Sequence, residues 1–185
     1  MTGRGRYRTF AAIDPPAVLA AELVAWARDQ RAGAQAMRVL AADSLHLTLA
    51  FLGERSAAEV ERIGESLAIA AGHAGRVHEL VVGEPLLLPQ RRPRVLAASI
   101  DDPGGELADL HHAIAEALSI AVGWAEPRAF RPHVTLARFG RDGRAPRELG
   151  PLPAGNFAAD EIVLYRSHLE QSGARYEELE RIALR

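Results

Sequence analysis

The sequence has 185 residues, 48% hydrophobic and 25% charged, which is the composition of an ordinary globular protein and predicts one domain over 1–185. Its formal net charge of -2 argues against electrostatic capture of nucleic acid by a broad basic face, so we expect any contact with nucleic acid to be local, through a small arginine cluster. The absence of cysteine excludes disulfides and cysteine-ligated metal centres. Met1 to Arg8 lacks the apolar core of a signal peptide, and no apolar run reaches the roughly 18 residues of a membrane helix. We therefore expect a soluble, cytoplasmic monomer.

Three helices are predicted, over about 14–31, 56–70 and 104–122, because apolar residues recur there at helical spacing. Asp14 is expected to cap the first helix, with Pro15 in its first turn. Ser56 and Glu59 form a capping box at the start of the second.

Strand-like runs alternate with these helices, and several lie late in the chain. They cover 7–13, 45–52, 80–88, 95–100, 133–139, 161–169 and 176–183. This order favours an α+β fold with antiparallel sheets over a doubly wound parallel one.

One short pattern occurs twice, 87 residues apart. The first copy is HLTLAFLG from His46 and the second is HVTLARFG from His133, identical at five of eight positions. A single histidine at the start of a strand is more often structural, but two matching copies indicate two half-sites that share one ligand. A tandem duplication, with a small sheet and a covering helix in each half, is the simplest account.

Strand periodicity assigns a chemical role to each face of the two copies. His46 and Thr48 share one face in the first copy, and His133 and Thr135 share one in the second. The opposite, core-seeking face carries Leu47, Leu49 and Phe51 in the first copy and Val134 and Leu136 in the second.

Two imidazoles can divide proton transfer between a nucleophile and a leaving group, since their pKa lies nearest neutrality. Two threonine hydroxyls can donate to the oxygens of an anion held between them. The set suits in-line displacement at a phosphodiester.

A metal site is the rival use of two histidines, but the sequence lacks further ligands. It has no H-x-x-x-H pair, and Asp43 before the first copy is replaced by Phe130 before the second. We expect neither a metal nor another cofactor. His73, His78, His111, His112 and His168 are interpreted as structural.

Arginines are the remaining candidates for contact with substrate. Arg92 and Arg94 lie in a dense basic loop that could reach a phosphate chain, and Arg131 is held extended before Pro132 and His133. Arg138 is predicted by parity to lie opposite His133 and to have a structural role at the strand end.

These residues resemble the two-histidine (2H) phosphoesterases, in particular the bacterial and archaeal RNA 2′,3′-cyclic phosphodiesterase group, also known as LigT-like or 2′-5′ RNA ligase-like. That family is defined by paired H-x-[ST]-x motifs, here at His46 and His133. The segments 7–13, 45–53, 132–138 and 164–169, followed by Gly173, Tyr176 and Leu179, also resemble the family, so the likeness covers nearly the whole chain.

The resemblance implies a bilobal domain of two antiparallel sheets with flanking helices, related by a pseudo-twofold axis around a central cleft. It implies metal-free hydrolysis of a 2′,3′-cyclic phosphate, on RNA ends or nucleotides, to a 2′-phosphate. His46 would donate a proton to the leaving 3′-oxygen, His133 would accept one from water, and Thr48 and Thr135 would hold the phosphate. The symmetry of the motifs leaves donor and acceptor interchangeable.

Two other functions stay open at this point. The same chemistry in reverse would join RNA through a 2′-5′ linkage. A non-catalytic module could use the cleft only to bind a nucleotide or RNA end.

Overall fold

The computed structural model describes residues 5–126, 128–170 and 173–185. The expectation about Met1 to Arg8 therefore falls partly on residues 1–4, outside the described residues. Among the described helices, none combines the length and apolar character needed to cross a membrane.

Three α-helices are present in the described chain: α1 (Ala17–Asp29), α2 (Ala57–Ala74) and α3 (Glu106–Val122). The capping box of α2 is confirmed, since the Ser56 hydroxyl accepts from the Glu59 amide and the Glu59 carboxylate accepts from the Ser56 amide. The predicted cap of α1 is wrong. Pro16 occupies the cap position, and the Asp14 carboxylate instead accepts a hydrogen bond of 2.8 Å from the Tyr165 hydroxyl.

All seven predicted strands occur, several of them longer than expected, and two more short strands join them. The described strands are β1 (Tyr7–Ile13), β2 (Gln35–Val39), β3 (Leu47–Arg55), β4 (Val77–Leu88), β5 (Val95–Asp101), β6 (His133–Arg144), β7 (Asn156–Ala159), β8 (Glu161–Glu170) and β9 (Gly173–Ala183). The α+β class with antiparallel pairing is confirmed.

The strands form one curved sheet in the order β7-β4-β5-β6-β3-β1-β8-β9, with β2 paired to β6. The two sheets implied by the resemblance are its two halves. They are joined between β3 and β6 by a single residue pair, Leu47 and Val134. Elsewhere β3 pairs with β1, and β6 pairs with β5 and β2.

The two halves of the sheet do not follow the two halves of the chain. The hairpin of β8 and β9 returns from the end of the sequence to pair with β1, whereas β4 and β5 belong to the half that contains β6. Helices α2 and α3 pack on each other and over the sheet, which places a continuous apolar core between helices and strands. Each half nevertheless brings one histidine motif to the line where they join.

Candidate active site at the junction of the two half-sheets

The two histidines are held in the same way. His46 directly precedes β3, and its Nδ1 lies 3.0 Å from the Ser44 carbonyl oxygen. His133 begins β6, and its Nδ1 lies 2.7 Å from the Arg131 carbonyl oxygen. A carbonyl only accepts, so each Nδ1 carries a proton and donates it. In the neutral ring Nε2 is therefore the nitrogen left to exchange a proton with a ligand.

The single bridge between the half-sheets explains how the motifs meet. An antiparallel pair has a local twofold axis, and here it passes between Leu47 and Val134. That axis exchanges the residue before each member of the pair, His46 with His133. It likewise exchanges the residue after each member, Thr48 with Thr135.

A β-bulge follows the threonine in both copies. Opposite β1, Leu49 is an extra residue between Thr48 and Ala50, and opposite β5, Leu136 is an extra residue between Thr135 and Ala137. An extra residue reverses the alternation of faces beyond it.

The bulges correct two predictions made from strict alternation. Phe51 was expected in the core but is 66% exposed, and Arg138 was expected opposite His133. Both line the same cavity as the histidines. Ala50 and Ala137 are buried in the core, whereas strict alternation would place each on the same face as the threonine two residues before it.

This cavity has a volume of about 640 Å³ and lies over the junction. His46, Thr48, His133 and Thr135 all line it. The apolar motif positions lie beneath as a fully buried floor: Leu47, Leu49, Val134 and Leu136. A floor packed into the core restricts the movement of the polar side chains that stand on it.

Four arginines line the cavity: Arg8, Arg38, Arg138 and Arg175. Among its described lining residues there is no carboxylate. The chain has a net charge of -2, so this concentration of guanidinium groups is local. It makes the cavity suited to an anion.

The arginines predicted from sequence do not line this cavity. Arg94 donates from Nη1 to the carbonyls of Gly140 and Arg141, at 2.6 and 2.8 Å. Arg131 contributes its main-chain carbonyl to His133, and Arg92 is exposed outside the cavity. Sequence reasoning did not find Arg38, since it lies on β2, a strand too short and mixed to stand out by periodicity.

The ring of His46 is packed between aromatic side chains. Its centroid lies 4.7 Å from that of Phe10 and 5.1 Å from that of Tyr176, which meets it edge-on. Burial lowers the pKa of His46 to about 4, and the charges of Arg138 and His133 add to the effect, against an opposing hydrogen bond to Ser44. In these surroundings His46 is therefore neutral at pH 7.

The other histidines lie outside the cavity. His111 stacks on Phe130 with ring centroids 3.8 Å apart, and His78 and His168 each contact a glutamate. Within the described ranges, no group of three or more histidine and acidic side chains is arranged to hold a metal ion.

Known proteins resemble this chain in sequence and in fold. A sequence profile described as the 2′-5′ RNA ligase superfamily matches residues 15–171. The RNA 2′,3′-cyclic phosphodiesterase of Escherichia coli strain K12 is 34% identical over 183 residues, covering 96% of each chain. Among solved structures, TT0787 of Thermus thermophilus superposes with a TM-score of 0.82 at 28% identity, covering 96% of this chain and 98% of that one. Escherichia coli LigT complexed with 3′-AMP gives 0.73 at 30% identity, covering 97% and 99%.

Proposed function

The chain belongs to the 2′-5′ RNA ligase superfamily, and on that basis we propose that it hydrolyses 2′,3′-cyclic phosphates on RNA ends or nucleotides to 2′-phosphates, without a metal ion. One observation carries the proposal: two histidines with available Nε2 atoms and two threonines share a cavity lined by arginines. The names of the relatives support the choice of substrate.

His133 is the proposed proton acceptor. Its Nδ1 donates to the Arg131 carbonyl, which leaves the Nε2 lone pair to take a proton from the attacking water. The water oxygen bonds to phosphorus as the bond from phosphorus to the 3′-oxygen breaks. The phosphate stays on the 2′-oxygen.

His46 is the proposed proton donor to the leaving 3′-oxygen. It is neutral at pH 7 before substrate binds, so it must gain its proton on binding. The negative charge of the cyclic phosphate favours the imidazolium and raises the pKa of His46. After donation through Nε2, the ring keeps its proton on Nδ1, which already donates a hydrogen bond to the Ser44 carbonyl.

Thr48, Thr135 and Arg138 are proposed to stabilise the charge that develops on the non-bridging oxygens. A hydroxyl and a guanidinium are both donors, and fixed donors act most strongly where charge grows in the transition state. Phe51 is exposed at the cavity wall, where its ring offers a stacking surface for a nucleobase.

The test is incubation with a nucleoside 2′,3′-cyclic phosphate in excess chelator, followed by identification of the product. We expect turnover to a 2′-phosphate at a rate that the chelator does not change. Loss of activity in chelator would contradict the metal-free reaction, and a 3′-phosphate would contradict the direction of cleavage.

The reverse reaction is the second candidate, since the matched family is described by its ligases. Adding an RNA with a 5′-hydroxyl to the same assay distinguishes them, because only ligation yields a longer product with a 2′-5′ linkage. Binding without any turnover would favour a non-catalytic module. A cytoplasmic location and a monomeric state remain predictions.

A further inference from the structure

A second, smaller cavity of about 310 Å³ adjoins the proposed active site. The two cavities share three lining residues, Arg8, Ser167 and Leu169. We call the smaller one the side cavity. Arg6, Glu54, Arg166 and His168 complete its lining. Because the two cavities share a wall, an oligonucleotide that extends from the proposed active site on this side enters the side cavity.

The side cavity is built where three strands run side by side. Strand β1 lies between β3 and β8, with Arg8 opposite Glu54 on β3 and Thr9 opposite Arg166 on β8. Its position on paired strands, rather than on a loop, fixes the spacing between its side chains and the active site.

Most charges in the side cavity already have partners. Arg6 pairs with Glu54 at 3.3 Å. Arg166 lies 4.3 Å above the ring of Tyr7 and pairs with Glu177 at 3.6 Å.

Arg8 differs from these neighbours. Its side chain is exposed, and among the described residues its guanidinium has no hydrogen bond or ion pair. It therefore offers an uncompensated cation at the boundary between the two cavities.

We propose that Arg8 binds the phosphate on the 5′ side of the reacting nucleotide and that the side cavity receives the preceding nucleotide of an RNA. This rests on the proposed function and narrows the substrate to an RNA 3′ end instead of a free mononucleotide. A guanidinium makes strong charge-assisted hydrogen bonds to a phosphodiester. Leu169 is 74% exposed between the cavities and gives the ribose or base an apolar contact.

Three substrates isolate the parts of this proposal. The first is a nucleoside 2′,3′-cyclic phosphate, the second is the same compound with a 5′-phosphate, and the third is the dinucleotide ending in the same cyclic phosphate. For the wild type we expect kcat/KM to rise at least about ten-fold from the first to the second, which is the lower end of what one hydrogen bond to a charged group contributes. A further gain of a few-fold is expected for the dinucleotide.

Two substitutions assign those gains to individual residues, and each is judged by the ratio of kcat/KM between two substrates. Arg8→Gln should remove the gain from the 5′-phosphate. Leu169→Ala should keep that gain and lose only the additional advantage of the dinucleotide, since Leu169 supplies the apolar contact to the preceding nucleotide. Arg92→Gln, at an exposed position outside both cavities, is the matched control and should leave both ratios unchanged.

Equal kcat/KM for all three substrates in the wild type would overturn the side cavity as a subsite. An equal loss on all three substrates in Arg8→Gln would overturn the role of Arg8, because it would then act on the reacting phosphate. If the wild type hydrolysed none of them, the proposed function itself would fail.

Discussion

His46 and His133 occupy equivalent positions but different surroundings. Both donate through Nδ1 to the carbonyl two residues earlier, yet only His46 lies between Phe10 and Tyr176. The low pKa of His46 follows mainly from this burial. A proton donor with such a pKa must acquire its proton together with the substrate.

Proton uptake on ligand binding is therefore expected between about pH 5 and 7, above the pKa of about 4 that His46 has before binding. Titration calorimetry with a nucleoside 2′-phosphate, repeated in buffers of different ionisation enthalpy, measures the protons bound. His46→Gln should abolish most of the uptake.

His112→Gln, at an exposed position on α3, should not alter the uptake and is the matched control. Unchanged uptake in His46→Gln would contradict the assignment of His46 as donor. In that case the neutral ring would suit the acceptor role.

The sequence predicts the strand face on which the two histidines, the two threonines and their buried neighbours lie, because these residues come before the register changes at the bulges. It fails for Phe51 and Arg138, which come after them. Nothing in the leucine at the bulge position distinguishes it from an ordinary strand residue. Pairing with the neighbouring strand decides where the extra residue lies.

Among the larger elements, α2 contacts parts of the fold that are far apart in the sequence. Its capping box holds the turn after β3, and its body packs on α3 and on the hairpin of β8 and β9 that carries Tyr176. At Gly64 the exposed Glu180 carboxylate of β9 lies against the helix, and a side chain at this position would displace that carboxylate.

Ser56→Ala should lower the free energy of unfolding by about 1 kcal/mol, the usual cost of losing a helix cap. Urea denaturation at pH 7 measures this, with Ser119→Ala on the exposed side of α3 as the control. Hydrogen bonds from the Ser56 amide and hydroxyl lower the pKa of Glu59 to about 2, so the stabilisation that depends on the ionised Glu59 carboxylate is present above about pH 4.5 and is lost as the pH falls towards 2. An equal effect of both substitutions would contradict the role of the cap.

Elements with strong periodicity are predicted well and the others are not. Helix α2 and strand β1 follow directly from their patterns, whereas β2 and β7 have five and four residues and are fixed only by pairing with β6 and β4. The error at Asp14 is similar in kind. Aspartate is a residue type common at helix caps, but the Asp14 carboxylate instead accepts hydrogen bonds from Tyr165 and Arg181.

Over the whole molecule, positive charge is concentrated locally although the net charge is negative. The net charge is -2, yet four arginines line the proposed active site and three line the side cavity, with Arg8 common to both. We therefore expect the proposed attraction for RNA to be strongest at these two adjoining cavities, since the net charge of the chain is not positive.

Salt should accordingly weaken binding only slightly. For single strands, the slope of log affinity against log salt is about -0.7 for each neutralised phosphate, so a substrate held at two phosphates should give about -1.4. Competition by product oligonucleotides of two to eight nucleotides, at several salt concentrations, measures the slope. A slope that steepened steadily with length would contradict confinement to these cavities.

Substitution of His46 and His133 shows whether the two histidines act as one acid–base pair. With a nucleoside 2′,3′-cyclic phosphate in chelator, His46→Ala and His133→Ala should each lower kcat/KM by about 10²–10⁴-fold. The double variant should lose little more than the more damaged single variant, because groups that act as a unit are not additive. A rate near wild type in either single variant, with the fold intact by circular dichroism, would rule out this acid–base pair.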